Sequence, residues 1–316
     1  MIWIAVDAMG GDDAPRHLVD GAVDAGRDVD LGVVLVGPAA RLDDELRRHP
    51  GVDRARIRVV DAPEAVAMDE PPTAALRRKP GASIRVAAEG VARGDAAALF
   101  SAGHTGATVM AAHAAFGMVT GVDRPALAAT IPTPTGRAVL LDVGASVACR
   151  PPHLLQFAVM GSVFAQVALS IATPRVGLLS NGEESSKGNE LTRESHRLLA
   201  AALPSFIGNV EARDVYRGRA DVIVCDGFTG NIALKISEGL VEVIEGLLSQ
   251  PLSVMSDYSA AGGAPLLGVH GIAVVGHGRA SATAVRNGVV MAHRFAADHL
   301  IERIESQIAA SAVPHS

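Results

Sequence analysis

Asp221-Val-Ile-Val-Cys-Asp-Gly-Phe-Thr-Gly-Asn231, followed by Ile232 to Leu248, decides the fold. Val222 to Cys225 is a short apolar, β-branched run of the kind that forms a buried strand. Asp226-Gly227 ends it, and Gly230 permits a backbone turn that a side chain would obstruct. A helical pattern follows, with Ile236, Leu240, Val243, Ile244 and Leu247 on one face and Glu238, Glu242 and Glu245 outside it. A strand, a glycine turn and a helix start leave backbone N–H groups around a space that suits an anion.

The same device recurs along the chain. Ile2 to Val6 is a strand, and Asp7-Ala-Met-Gly-Gly-Asp12 leads from it into a helix. Ala96 to Phe100 precedes Ser101-Ala-Gly-His-Thr-Gly106 and a helix over 107–118. Ala126 to Ile131 and Ala138 to Val143 are strands, the second ending in Asp142-Val-Gly-Ala-Ser146. Arg175 to Leu179 runs into the polar loop Ser180 to Asn189, and Ile272 to Val275 into Gly276-His-Gly-Arg279. Leu31 to Val36, Ile57 to Val60 and Phe206 to Val210 add strands, and a C-terminal helix is expected from Ser281 to Ile308. Strands alternating with helices imply an α/β fold with a mostly parallel sheet covered on both faces. Ligands in such sheets lie at the carboxyl ends of the strands, where these turns would gather.

The 316 residues, 49% of them hydrophobic and 20% charged, suffice for a large core. A formal charge of −6 argues against general nucleic-acid binding. Cys149 and Cys225, far apart in a chain without a signal peptide, suggest a reducing cytoplasm and no disulfide framework. Leu154 to Thr173 is uncharged over about the length of a membrane span, but Gln156 and Gln166 interrupt it and no aromatic belt flanks it. A buried core helix is the expectation.

No Walker A sequence, no GxGxxG, no GxSxG and no close Cys/His cluster for a metal occurs. What remains is small polar groups, backbone donors, Lys187 and carboxylates. That equipment suits binding an oxyanion and stabilising a tetrahedral intermediate without a protein nucleophile. Lys187 can pair with phosphate as a point charge, and Asn231 and Thr229 can donate to an oxyanion. A structural alternative stands beside each role. Asn231 can cap the helix that follows it, Thr229 can fix the turn, and Asp7, Asp142 and Asp226 can tie down their loops.

Ordered motifs then point to a family. Ile4-Ala-Val-Asp-Ala-Met-Gly-Gly-Asp12, Met68-Asp-Glu-Pro71, Ser101-Ala-Gly-His-Thr-Gly-Ala107, Leu141-Asp-Val-Gly-Ala145, Lys187-Gly-Asn-Glu-Leu191, Gly208-Asn-Val-Glu211, Cys225-Asp-Gly-Phe-Thr-Gly-Asn231 and Gly263-Ala-Pro-Leu-Leu-Gly268 run over nearly the whole chain. Together they resemble the acyl-acyl-carrier-protein:phosphate acyltransferase family, PlsX. The resemblance implies transfer of a long-chain acyl group from acyl carrier protein to inorganic phosphate. The acyl phosphate would serve glycerol 3-phosphate acylation in phospholipid synthesis. It further implies a three-layer α/β/α fold like isocitrate and isopropylmalate dehydrogenases and phosphotransacetylases, a homodimer, a cytoplasmic location peripheral to the membrane, transient contact with a membrane acyltransferase, and no cofactor. A single catalytic domain over 1–316 is expected, with lobes 1–100 plus 268–316, and 101–267.

The resemblance supports Lys187 and Asn231 most directly as catalytic groups. Thr229 is assigned with Asn231 to the oxyanion, and His104 to protonating the departing thiolate. Substrate contacts are assigned to Asp7, Gly10, Gly11 and Asp12, to Ser101, Gly103, Thr105 and Gly106, to Asp142, Gly144 and Asn189, and to Asp226, Gly227 and Gly230, with no metal. Lys187 and the backbone donors of the Asp7–Asp12 and Ser101–Gly106 turns would hold phosphate. Arg77, Arg78 and Lys79, with Arg47 and Arg48 behind them, are candidates to meet an acidic carrier protein. Departures from the family pattern are His104 and Ser146, each in place of an Asn, and Ser180-Asn181 before Gly182-Glu183. The stretch Gln250 to Gly262 is short and lacks Lys and Arg, which argues against direct membrane attachment. Two other functions remain open, a short-chain phosphotransacetylase and a non-catalytic paralogue that binds carrier protein.

Overall fold

The computed structural model describes residues 1–248 and 262–311. The chain forms two compact units, 1–117 with 262–298 and 118–248 with 299–311. These boundaries differ from the lobes suggested by the sequence, and the helices explain why. The helix Thr105–Phe116 packs with helices of the first unit and stays with it. The expected single C-terminal helix is two helices, Ala282–Ala297 and Leu300–Ala310, separated at His299, which adopts a left-handed conformation (φ 54°, ψ 48°). A left-handed residue cannot continue an α-helix, so the chain turns there and the last helix joins the second unit.

In the first unit the strands β1 (Ile2–Asp7), β2 (Leu31–Gly37), β3 (Ile57–Asp61), β4 (Ala98–Ser101), β10 (Ala264–Leu267) and β11 (Ile272–Val275) lie in the order β3-β2-β1-β4-β11-β10. All neighbours are parallel except β10 and β11. Every residue of Leu31-Gly-Val-Val-Leu-Val-Gly37 is buried, as a parallel strand covered on both faces requires. Helices α1 (Arg16–Asp28), α2 (Ala39–Leu46), α3 (Pro72–Arg78), α4 (Ser83–Ala92), α5 (Thr105–Phe116) and α9 (Ala282–Ala297) flank these strands. Pro71 and Pro72 stand at the start of α3, where a missing N–H costs no helical bond. The short β10 was not anticipated. Pro265 within it is rare in an interior strand.

The second unit holds β5 (Ala126–Thr133), β6 (Gly136–Leu141), β7 (Val176–Ser180), β8 (Phe206–Glu211) and β9 (Val222–Val224), ordered β5-β6-β9-β7-β8. The β5–β6 hairpin is antiparallel and the other pairs are parallel. Helix α6 (Pro151–Leu169) is long and apolar enough to cross a bilayer by composition, yet most of it is buried against β6, β9 and its neighbours α7 (Glu190–Ala202) and α10 (Leu300–Ala310). Its Gly161 lets the helix sit on the sheet, because a Cβ there would come within 2.8 Å of Leu141 and Val222. The buried helix expected from the sequence is a core helix of this unit.

Helix α8 (Gly227–Leu248) starts at Gly227, five residues before the sequence pattern suggests. Its apolar face is left uncovered among the described residues. Phe228, Ile232, Ile236, Leu240, Val243 and Leu247 are all exposed, Leu247 to 80%. The Gln250–Gly262 stretch, apart from Gly262, lies outside the described residues.

Close helix packing gives a test in the first unit. A Cβ on Gly21 of α1 would lie 2.4 Å from the Ala282 carbonyl and 2.6 Å from Val285 Cβ in α9. Gly21→Ala is expected to destabilise the fold by roughly 2 kcal/mol, because overpacking forces helices apart. Urea unfolding measures this.

Candidate active site

In the first unit, three glycine turns leave the carboxyl ends of the parallel strands β1, β4 and β11, whose ends Asp7, Ser101 and Val275 are in register. Gly10 and Gly103 bring two of the turns together. A Cβ on Gly10 would lie 2.7 Å from both Gly103 N and Asp7 Oδ2. Gly11 (φ 121°) is in a conformation that favours glycine, and Asp12 N–H donates to the Gly278 carbonyl of the third turn (2.8 Å).

The Asp7 carboxylate, 3% exposed, organises this cluster. It accepts from Ser83 Oγ (2.6 Å), Ser101 Oγ (2.7 Å) and Met9 N (3.3 Å). Ser101 Oγ in turn accepts from Gly103 N (3.2 Å) and Thr108 Oγ1 (3.3 Å). Burial raises the Asp7 carboxyl above the ordinary carboxylate range, against the lowering effect of these donors. Ser83 and Thr108 were not picked out from the sequence. A lone Ser or Thr at a helix start reads as a cap, and only the fold shows the carboxylate it meets. A small pocket opens here, lined by Asp7, Gly10, Ser83, Gly103, His104 and Thr108.

His104 caps α5, its Nδ1 accepting from Ala107 N (3.4 Å). A ring that accepts through Nδ1 carries its proton on Nε2 when neutral. The ring lies near Gly106, whose Cβ would meet His104 Cε1 at 3.2 Å and Pro72 Cγ at 3.1 Å. Thr105 is exposed on the first turn of the helix, as is Asp12 in its own turn.

The second unit repeats the arrangement with firmer bonds. Asp142, 0% exposed, accepts four backbone N–H groups. Leu127 N (2.9 Å), Gly144 N and Ala145 N (both 3.0 Å) reach Oδ1, and Ser146 N (2.6 Å) reaches Oδ2. Burial still holds its carboxyl above the usual range. Ser146 Oγ donates to the Pro125 carbonyl (2.8 Å), and the Ser146 carbonyl accepts from Gly227 N (2.9 Å).

Asp226 caps α8. Its Oδ1 accepts from Thr229 N (2.9 Å) and its Oδ2 from Thr229 Oγ1 (2.7 Å). The Thr229 hydroxyl proton is therefore committed to the cap, which corrects its assignment as an oxyanion donor and favours the structural alternative. Asn231 is not the cap. It lies inside the helix, exposed, with its side chain facing the backbone of Gly144 (φ 137°), where a Cβ would be 3.8 Å from Asn231 Cβ and Cγ. Gly230 is helical, so its need is close approach, not a turn. A Cβ would meet the Asp142 carbonyl oxygen at 2.0 Å and Cys225 Sγ at 2.8 Å.

The loop after β7 carries Lys187, exposed and without a carboxylate partner among the described residues. Its stem crosses Gly182, whose Cβ would come within 2.7 Å of Lys187 Cγ. Asn189 caps α7, accepting from Thr192 N (2.9 Å). Ser180 Oγ is buried and unpartnered among the described residues, beside an open pocket lined by Ser180, Asn181, Glu211, Ala212 and Arg213. Glu183, Glu211 and Asp214 lie close together, paired with Arg219 (2.7 Å to Glu183, 3.4 Å to Asp214), Arg213 (2.5 Å to Glu211) and Arg217 (3.6 Å to Asp214). Leu178 of β7 pairs with Val224 of β9, so the Lys187 loop and the Asn231 turn leave neighbouring parallel strands at the same end.

Neither thiol is a nucleophile near neutrality. Burial pushes Cys149 up to about 12, and the fully buried Cys225 is raised well above its usual value. Among the basic candidates, Lys79 is committed to the Ala65 carbonyl (2.8 Å) and Glu70 (2.5 Å), which corrects its reading as a free docking charge. Arg47 and Arg48, just after α2, pair with Asp44 and Glu45 in its last turn. Arg77 and Arg78 remain exposed.

Residues 2–303 match the model of a family described as fatty acid synthesis protein. A phosphate acyltransferase of Pelotomaculum thermopropionicum is 45% identical, covering 96% of this chain and 94% of the relative. One from Nitratidesulfovibrio vulgaris strain DP4 is 46% identical, covering 98% and 95%. In structure, the chain resembles a phosphotransacetylase from Streptococcus pyogenes with a TM-score of 0.68 at 17% identity, over 94% of each chain.

The two buried carboxylates should respond differently to amidation. Asp142→Asn sets an amide NH2 against fixed backbone N–H donors and should cost about 3 kcal/mol. In Asp7→Asn the Ser83 and Ser101 hydroxyls can rotate to suit, and the loss should stay below about 1 kcal/mol. Because the folded pKa of Asp7 is raised, its stabilising contribution is complete below the unfolded value of about 4 and declines as pH rises through the folded value. Asp7→Asn should therefore gain on the parent as pH increases from about 4. Urea unfolding at a series of pH values checks both.

Proposed function

Because the chain belongs to the fatty acid synthesis protein family and is an acyltransferase acting on phosphate, we propose that its donor is a long-chain acyl thioester of acyl carrier protein. The acyl phosphate product would supply glycerol 3-phosphate acylation in phospholipid synthesis. The observation that carries the chemistry is the pairing of β7 with β9, which sends the Lys187 loop and Asn231 from the same end of neighbouring strands.

A phosphate oxygen attacks the thioester carbonyl carbon. A C–O bond forms, the C–S bond breaks, and the thiolate leaves with its electron pair and takes up a proton. Lys187 pairs with the phosphate as a point charge, and the Asn231 amide donates to the oxygen that becomes negative in the tetrahedral intermediate. The raised thiol pKa values of Cys149 and Cys225 favour direct attack over an acyl-enzyme on sulfur. In the first unit, His104 offers Nε2–H as a hydrogen-bond donor, and the glycine-turn amides of each unit suit anionic oxygens. Arg77 and Arg78 are assigned to the acidic carrier protein.

The protein is further proposed to act as a cytoplasmic homodimer. The support is the exposed apolar face of α8, from Phe228 to Leu247, which a second copy would cover. Replacing Ile236 and Leu240 by Glu should convert a dimer to a monomer in light scattering. An unchanged mass would remove this face from the interface.

The assay that tests the reaction combines acyl carrier protein thioesters with phosphate and traps acyl phosphate with hydroxylamine. Palmitoyl-carrier protein should be turned over in preference to acetyl-coenzyme A. The reverse preference would favour the short-chain phosphotransacetylase, and no product at any chain length would favour the non-catalytic paralogue. Lys187→Ala should lower kcat/KM by roughly a hundredfold or more, in the range seen on removing a group that stabilises developing charge. Near-normal turnover in that variant would sink the scheme.

A further inference from the structure

Asn209 stands in the Gly208-Asn-Val-Glu211 motif, to which the reaction scheme gives no role. It lies on β8, 2% exposed, opposite Leu178 of β7. A buried primary amide is costly unless its polar atoms are satisfied. Both ends of this one are. Asn209 Nδ2 donates to the Glu184 carbonyl (2.9 Å), and Oδ1 lies 2.9 Å from His196 Nδ1 on α7. Because the NH2 end faces a carbonyl, the oxygen end faces the imidazole, and His196 must donate through Nδ1–H. The His196 ring is held edge-on against Phe206, with centroids 5.1 Å apart at 78°.

The same Glu184 carbonyl accepts from Lys187 N–H (3.0 Å), closing the turn that carries the lysine. Among the described residues, the loop's other side-chain ties lie toward its ends. Arg219 reaches Glu183 on one side, and on the other Arg193 donates to the Gly188 carbonyl (2.6 Å) while Asn189 caps α7. Asn209 is the tie at the middle, and it joins the rigid sheet to the backbone turn on which Lys187 stands.

We propose that Asn209, oriented by His196, is a positioning residue for Lys187. This rests on Lys187 being the phosphate ligand. A point charge on a flexible stem loses effectiveness steeply when its anchor moves, so the pair acts as one unit. A residue that merely supported the fold would instead weaken all substrate terms alike.

The test is a double-mutant cycle on the full chain, with KM for phosphate and KM for the acyl thioester measured separately. Asn209→Ala should raise KM for phosphate roughly tenfold, the effect of losing the bond that ties the loop at Glu184, and leave KM for the thioester within about twofold. Added to Lys187→Ala, it should change the phosphate term no further, since groups acting as a unit are not additive. Hydrogen exchange should speed up over 183–189 while β7 and β8 stay protected. If Asn209→Ala does not fold, Asn209→Asp, which keeps the acceptor for His196 and loses the donor to Glu184, and His196→Ala carry the same comparison. An additive cycle, or unchanged exchange over 183–189, overturns the proposal. A Lys187→Ala variant with normal KM for phosphate overturns the phosphate reading instead, and the exchange result then still decides whether Asn209 holds the loop.

Discussion

A single buried carboxylate holds the second unit's turns in place. Asp142 collects N–H donors from β5 and from three successive residues after its own strand. Its backbone carbonyl lies where α8 passes, close enough that only a glycine fits at position 230. The Ser146 carbonyl, fixed by the same turn, accepts Gly227 N–H at the first residue of that helix. One charge with its ring of amides therefore sets β5, β6 and the start of α8, and through α8 the position of Asn231. Burying a charge is costly, and the surrounding backbone donors offset part of that cost.

Asp7 plays the corresponding part in the first unit with softer partners. Two of its donors are hydroxyls, which rotate, where Asp142 meets only amides fixed by the backbone. The hydroxyl chain Thr108–Ser101–Asp7 can exchange donors and acceptors without moving a backbone atom. The two clusters thus differ in stiffness, although each is built where parallel strands end in glycine turns.

Much of this was legible in the sequence, because apolar β-branched runs ending in Asp-Gly or Ser-x-Gly turns encode buried parallel strands locally. The strand expected over Val222 to Cys225 is Val222–Val224, the turns after β1, β4 and β6 stand where expected, and the buried helix expected over Leu154 to Thr173 is Pro151–Leu169. What escaped was set by tertiary contact. The start of α8 at Gly227 depends on the Asp226 cap and on room beside Asp142, so glycines at 227 and 230 read falsely as a loop. The break at His299 carries no proline or glycine to announce it. Strand β10 is defined by its antiparallel pairing with β11, which no local pattern announces. The roles of Ser83 and Asn209 lie in partners 76 and 25 residues away in sequence, beyond any local pattern.

The departures from the family motifs take on a different meaning beside these contacts. An Asn is a good N-cap because its oxygen accepts a backbone N–H. His104 does this through Nδ1 toward Ala107, at 3.4 Å, so a neutral ring carries its proton on Nε2. The imidazole therefore keeps both an acceptor, used by the helix, and a donor, as an amide does. Ser146 engages its hydroxyl with the Pro125 carbonyl and its N–H with Asp142, so both groups brace the turn. Neither substitution removes a bond on which the cluster's geometry rests. Lys187 and Asn231, both exposed, lie outside these changes, and that favours a working transferase over a degenerate binding protein.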